Sequence, residues 1–281
     1  MTDQANPTTQ RPPLHLFLSP HLDDAVLSCG GLIHQLVAQG CRVVVYTPMA
    51  GRPPRDLPDS PILRDLHARW GTPGNPVEER RREDIQALRS LGALGRHGPI
   101  PDCVYRLAYG PDGERQALYP TEESLWQTPH PADSAARLLE ATPLLYAETD
   151  VLHVPLGAGG HVDHRLVRDW GRRLARVHSG LTVLYYEEYP YNTDPSAVEA
   201  ALAAFAPQTL TPVLYPLSEA ALQAKITAIA CYASQISTFW RDVPAMACAV
   251  RDDARQIGNG QPAERSWQVR TDWQQAQEQP S

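Results

Sequence analysis

Lysine is almost missing from this chain: of its 25 basic residues only Lys225 is a lysine, and all the others are arginines. Against 32 acidic residues this gives a net charge of -7. No window gathers the dense Lys/Arg cluster that tracking a phosphate backbone requires, which excludes nucleic acid as a partner. Cysteine is sparse as well. Cys29, Cys41, Cys103, Cys231 and Cys248 are scattered and never form a CxxC pair. An odd number in a chain of 281 residues reads as reduced thiols in a cytoplasmic protein, not a disulfide framework. Long apolar runs are also absent. None approaches the roughly 20 residues that span a bilayer, and the polar, proline-containing Met1–Pro13 lacks the charged and apolar segments of a signal peptide.

What is present is a globular composition, 42% hydrophobic and 20% charged, with room for one large α/β domain or two small ones. The apolar runs Leu14–Leu18 and Arg42–Thr47 predict buried strands, and Leu27, Leu32 and Leu36 mark a helix between them that ends at Gly40. Gly30 and Gly31 lie inside that helix, so a dinucleotide loop is excluded and close packing is the expected reason for them. Pro48–Pro76 reads as a long loop walling a pocket, with a short helix near Ile62–Trp70. A helix is expected over Val77–Leu91, a third strand over Asp102–Arg106, and helical stretches from Thr121 to Leu145. Beyond them lie the strand Val151–Leu156, a helix through His164 to Val177, the strand Leu181–Tyr185, and a helix from Pro195 to Phe205. Thr211–Tyr215 is a late strand, Glu219–Ile236 one helix, and the remainder a polar tail from which Glu264, Arg265 and Trp267 dock on the domain. The alternation predicts an α/β, Rossmann-like three-layer domain with a mostly parallel sheet over residues 14–267. Residues 1–13 are read as a disordered tail and 268–281 as a polar one.

Two polar clusters follow strands. Ser19-Pro20-His21-Leu22-Asp23-Asp24 comes directly after the first strand, and Gly160-His161-Val162-Asp163-His164 soon after Val151–Leu156. An imidazole and two carboxylates pressed together are costly unless they face a cation or a substrate. Ligands in open parallel sheets gather beyond the carboxyl ends of the strands, where both clusters fall. Catalytic zinc takes three ligands from His, Asp or Glu and leaves a position for water. His21, Asp24 and His164 can supply such a set, leaving Asp23 and His161 to move a proton and to face the developing oxyanion. The same ligands suit iron(II). The purely structural alternative makes the aspartates helix caps, which leaves the histidines unexplained.

These residues carry a resemblance. The first cluster is similar to the His-Pro-Asp-Asp signature, and the second to the His-x-Asp-His signature, of the LmbE-like or PIG-L family of zinc-dependent N-acetylglucosaminyl deacetylases. The resemblance implies metal ligation by His21, Asp24 and His164, a general base at Asp23 and an oxyanion-stabilising or acid role at His161. Leu22 stands where the family has proline, and Ala25 where an acidic residue often follows. Arg80, Glu83, Ala87 and Leu91-Gly92 also resemble the family, as do Lys225, Ser234 and Gln235, although Tyr232 stands where histidine is common. Arg80, Arg106, Glu188, Tyr189 and Tyr191 are the expected substrate contacts. The function expected is hydrolysis of an N-acetyl group from an amino sugar or related small N-acyl molecule, with zinc as cofactor. The alternative from another class is a catalytically silent Rossmann-like binding module with a structural metal. A homo-oligomer is compatible with either.

Overall fold

The computed structural model describes residues 11–58, 60–71, 75–143 and 147–270. In chain order the elements are β1 (Leu14–Leu18), α1 (Asp24–Ala38), β2 (Arg42–Thr47), α2 (Pro61–Trp70), α3 (Pro76–Leu91) and β3 (Leu94–His97). A small antiparallel hairpin, β4 (Leu107–Tyr109) with β5 (Arg115–Ala117), precedes α4 (Ala135–Ala141), β6 (Val151–Pro155), α5 (Val162–Val177) and β7 (Thr182–Tyr186). The chain closes with α6 (Pro195–Ala203), β8 (Leu210–Pro216), α7 (Glu219–Ile229), α8 (Ala233–Phe239), α9 (Val243–Ile257) and β9 (Ala263–Val269).

The main sheet has seven strands in the order β3-β2-β1-β6-β7-β9-β8. Its first five are parallel, and β9 and β8 add an antiparallel edge. Side-chain alternation explains the layers. On β1 and β2, Phe17, Val43 and Val45 pack with α1, α3, α7 and α9. Leu14, Leu16, Leu18, Val44 and Tyr46 face the opposite way, against α4, α5 and α6. Strands buried on both faces read as unbroken apolar runs, which is why these were visible in the sequence. From β1 the chain winds outward one way to β2 and β3, and β6 lies on β1's other side. The crevice between the carboxyl ends of β1 and β6 is therefore the topological switch point, where ligands bind in such sheets.

The third strand is not Asp102–Arg106. It is Leu94–His97, whose Leu-Gly-Arg-His sequence carries no apolar signature because it lies on the sheet edge. Asp102–Arg106 instead forms one 3-10 turn over Cys103–Tyr105, with the Asp102 carboxylate accepting from the Val104 N–H at 3.2 Å. The expected helix Glu219–Ile236 breaks between Ile229 and Ala233, because the Ser234 N–H and hydroxyl are held by Glu83 at 2.9 and 2.6 Å. The expected polar tail holds α9, started by Pro244 and by Asp242 accepting from the Ala245 N–H at 2.8 Å. Only Met246, Val250 and Ala254 mark its inner face, a thin signal among alanines. Of Thr121–Leu145, Glu123–Trp126 is a 3-10 turn and Ala135–Ala141 a helix, while Leu145 lies outside the described residues. The expected tails fall mostly outside them too. Arg11 reaches Asp150 at 2.8 Å, and β9 continues through Gln268 and Val269. Among the described residues no helix is long and apolar enough to cross a membrane, and every cysteine is a free thiol.

The lone lysine marks where the fold is fastened. At Cys29 the helix α1 leaves helical geometry (φ -123°, ψ 15°), which frees backbone groups inside the protein. Glu264, from β9, accepts from the Gly31 and Leu32 N–H groups at 3.0 and 2.8 Å. Lys225, from α7, donates to the Ser28 carbonyl at 3.2 Å and to Glu264 at 2.9 Å. A Cβ at Gly31 would stand 2.6 Å from Leu217, so the glycine here serves close packing as expected. Removing one partner of a buried pair strands the other's charge. Lys225→Met is therefore expected to lower unfolding free energy by about 3–5 kcal/mol, measured as a fall in the urea midpoint. The double variant Lys225→Met/Glu264→Gln should recover part of that loss.

Candidate active site

The turn leaving β1 is closed by its own side chains. Ser19 donates its hydroxyl to the His21 carbonyl at 2.7 Å and accepts from the Ala25 N–H at 3.0 Å. Asp24, the first residue of α1, accepts from the His21 N–H at 2.7 Å. Between them Asp23 is held at φ 143°, ψ -36°, a region that non-glycine residues avoid and that costs on the order of 1–3 kcal/mol. Its carboxylate caps no helix N–H, so it faces the cavity instead. The alternative reading of Asp23 as a cap fails on this geometry.

The second cluster arrives from β6 through the glycine loop at residues 157–160, and the Asp24 carboxylate joins the two. One of its oxygens lies 3.3 Å from His21 Nδ1 and 3.3 Å from His164 Nε2. The ligand atoms of a tetrahedral zinc bound at roughly 2.0–2.1 Å stand about 3.3 Å apart, so the spacing fits. Each imidazole turns its other nitrogen to a carboxylate, His21 Nε2 to Asp163 at 3.0 Å and His164 Nδ1 to Glu188 at 3.2 Å. That carboxylate–histidine arrangement fixes which nitrogen a metal would meet. His161 lies in the same group, one ring nitrogen each of His21, His161 and His164 falling within 4.8 Å of the others.

Charge supports the same reading. Burial disfavours the His21 imidazolium, yet Asp102, Asp163 and Asp24 outweigh it and raise the group well above its ordinary value. His164 is raised to about 9, Asp24 and Glu188 prevailing over burial. Asp24 is held well below the usual carboxylate range by His164 and His21 despite its burial. The pocket thus retains protons where a divalent cation would fit. Asp23 behaves differently, pushed up to about 7 by burial, with Arg80 opposing and Asp24 adding to the rise. His161 is lowered well below its ordinary value by burial and by the positive His21 and His164. Its Nδ1 accepts from the Asp163 N–H at 3.3 Å, which leaves the proton of the neutral ring on Nε2.

In front of these groups opens a cavity of about 310 Å³, lined by His21, Asp23, Asp24, Asp102, His161 and Tyr191 at its base and by Arg80, Trp70 and Trp126 on its walls. As expected, the proline-rich loop forms part of the wall, through Ile62, Leu66, Arg69 and Trp70 of α2. Arg80 lies over the Trp70 ring (4.9 Å) with its guanidinium 3.5 Å from Asp23. Its neighbour Glu83 does not pair with it but holds Ser234. Tyr191 lines the cavity, its ring filling the space that a side chain at Gly159 would occupy.

The other expected substrate contacts stand elsewhere. Arg106 is buried behind the site, clamped between Asp163 and Asp133 (3.1 Å to the latter), and is absent from the lining. Glu188 is fully buried, accepting from the Gly157 and Ala158 N–H groups at 2.7 and 3.1 Å as well as from His164. Tyr189 packs in the core, stacked on Trp240. Tyr232 is buried too, its hydroxyl donating to Asp84 at 2.8 Å, a packing role where the family often has histidine. Sequence reasoning missed Asp102 and Trp126, and read Asp163 only as a cap. The position of Asp163 between two histidines was the available signal. Trp126, on a short turn between prolines, offered none.

The domain is thus a doubly wound α/β fold with a histidine–carboxylate centre at its switch point. Residues 16–175 match the family model described as PIG-L: GlcNAc-PI de-N-acetylase, and the chain belongs to that family. It is 31% identical over 225 residues to a 2'-N-acetylparomamine deacetylase of Streptomyces fradiae, covering 78% of this chain and 72% of that protein. Its match to the Niallia circulans protein of the same name is 32% identical over 193 residues, covering 63% of this chain and 66% of that one, just under two thirds of its length. Among solved structures it resembles the zinc-inhibited form of teicoplanin deacetylase Orf2, with a TM-score of 0.75 and 28% identity over 92% of this chain and 99% of that one.

Because His21 and His164 are both protonated in the metal-free protein at neutral pH, a cation must displace those protons. Zinc addition at pH 7.5 should release roughly two protons per ion, measured by a pH indicator in weak buffer. Affinity should rise with pH up to about 9, where His164 loses its proton unaided.

Proposed function

We propose that this chain is a metal-dependent hydrolase that removes an N-acetyl group from an amino sugar. The observation that carries this reading is the placing of one Asp24 oxygen 3.3 Å from a nitrogen of both His21 and His164, with a strained Asp23 beside it in an open cavity. His21, Asp24 and His164 would hold the ion. Once bound there, a divalent cation such as zinc or iron(II) supplies Lewis-acid polarisation of the amide carbonyl and acidifies a water molecule. A purely structural metal does not account for this set, since structural zinc sites are closed by four Cys or His ligands.

The protein's own groups supply the rest. Asp23 takes the proton of the attacking water, and its strained backbone keeps the carboxylate turned to the cavity. Arg80 holds Asp23 in place and favours its ionised form. His161 donates its Nε2 proton to the developing oxyanion as a neutral imidazole, burial holding the ring well below its ordinary value. The proton on Asp23 then passes to the leaving amine. Asp163 and Glu188 orient the ligating imidazoles and do not touch substrate.

For the substrate, the relatives' names give 2'-N-acetylparomamine and teicoplanin as what those proteins deacetylate, which supports an N-acetylated amino sugar carried on a larger molecule. A cavity of about 310 Å³ with aromatic walls accommodates a sugar ring and the start of what it is attached to. We assign this chain an amino-sugar conjugate of that kind.

Replacing Asp23 by Asn should lower turnover about 10²–10⁴-fold while elemental analysis finds the metal still bound; full activity in that variant would remove Asp23 from the mechanism. The pH profile gives an independent check. The base works ionised, so kcat/KM rises with pH through its pKa, and a bound cation places that limb at or below the value of about 7 in the metal-free protein. Arg80→Gln removes a charge that lowers it, so the acid limb should move to higher pH.

A further inference from the structure

Beside His161 the structure holds a thiol that the proposed reaction does not use. Cys103 is fully buried, and its Sγ lies 3.8 Å from His161 Nε2 and 3.5 Å from an oxygen of Asp102, which lines the cavity. Cys103, His161 and Asp163 each present a ligand atom within 4.8 Å of the others. For a tetrahedral zinc with bonds of roughly 2.3 Å to sulfur and 2.0–2.1 Å to nitrogen, the S to N separation is about 3.6 Å. The observed 3.8 Å needs little adjustment. Asp163 has capacity left: one oxygen takes Arg106 and the other takes His21 and the Cys103 N–H, which leaves one of a carboxylate's roughly four acceptor positions free.

We infer that Cys103, His161 and Asp163 form a second site for a thiophilic divalent cation, filled only when metal is in excess, and that its occupation inhibits the enzyme by removing His161 from the oxyanion. The inhibitory half of this rests on the role given to His161 under the proposed function; the site itself does not. The thiol loses its proton to solvent and its sulfur binds the metal as thiolate. The imidazole gives up the Nε2 proton and takes one on Nδ1, so that Nε2 becomes the ligand. Nδ1 can then no longer accept from the Asp163 N–H, and α5 loses the cap it has at 3.3 Å. Burial also raises the thiol well above its ordinary value. Both costs, with the Arg106 charge nearby, make this site weaker than the His21, Asp24 and His164 centre, which has no cap to break. Sulfur favours zinc, cadmium and cobalt over magnesium or calcium.

Cobalt(II) titration of the metal-free protein tests it. The first equivalent should bind without a thiolate-to-cobalt charge-transfer band, and the second should bring the band up. Cys103→Ser and Cys103→Ala should each bind the first equivalent, show no band, and keep the activity of the singly loaded native enzyme. Excess zinc should lower native turnover by about 10²-fold or more, the cost of a lost oxyanion donor, and should leave both variants active. A band with the first equivalent, no band at all, or undiminished zinc inhibition in both variants would overturn the inference. Absence of deacetylation at one equivalent would instead count against the proposed function, while the cobalt spectrum would still decide the site.

Discussion

Asp23, Asp24, Asp102, Asp163 and Glu188 converge beneath one cavity, and all but Asp102 are buried. So much negative charge cannot be buried without compensation, and much of the surrounding structure supplies it. Arg80 comes from α3 to Asp23, Arg106 from the turn after β3 to Asp163, and His21 and His164 to Asp24. Glu188 is met by backbone N–H groups of the glycine loop, whose geometry makes a small concave anion site. Each compensating group fixes an element, so the electrostatics of the centre and the docking of α3, the hairpin and the glycine loop are one problem.

The compensators are arginines and histidines, and their geometry matters. Arg106 reaches Asp163 and Asp133 at once, which a single ammonium would do less well. Asp133 in turn accepts from the Tyr119 hydroxyl at 2.8 Å, so the small hairpin layer is tied to the imidazole of His21 through Asp163 and Arg106. The lone lysine stands on the other side of the sheet, where a point charge suffices to bridge a kinked helix and one glutamate. The scarcity of lysine and the density of buried ion pairs therefore belong together.

How much of this the sequence disclosed follows from what kind of signal each part emits. Buried parallel strands and the polar clusters after them are local, so β1, β2, β6, β7 and the pairing of His21-x-Asp-Asp with His161-x-Asp-His were legible, as was the α/β class. Edge strand β3 is half exposed and carries no periodicity. Helix α9 shows only Met246, Val250 and Ala254 on its inner face, and β9 depends on pairing with distant β8, so neither announced itself. Arg106 and Glu188 support the histidine–carboxylate centre from behind, and Tyr189 packs in the core, so none of the three lines the cavity. Sequence order locates a residue at a strand end, whereas only side-chain partners decide whether it faces the cavity or supports what does.

The strain at Asp23 shows why that second kind of information decides function. A capping aspartate in this position would sit at ordinary backbone angles and accept from the helix N–H groups, and it would stabilise α1. Here Asp24, Ser19 and Arg80 hold it away from that role at an energetic cost. Folding alone gains nothing from such an arrangement. It is intelligible if the carboxylate must stand beside a cation without binding it, ready to accept a proton. The same logic extends to His161, whose cap to the Asp163 N–H holds the ring's proton on the cavity side. Both groups are aimed by interactions that a merely stable protein would have used otherwise, and that is the physical basis for reading the centre as catalytic.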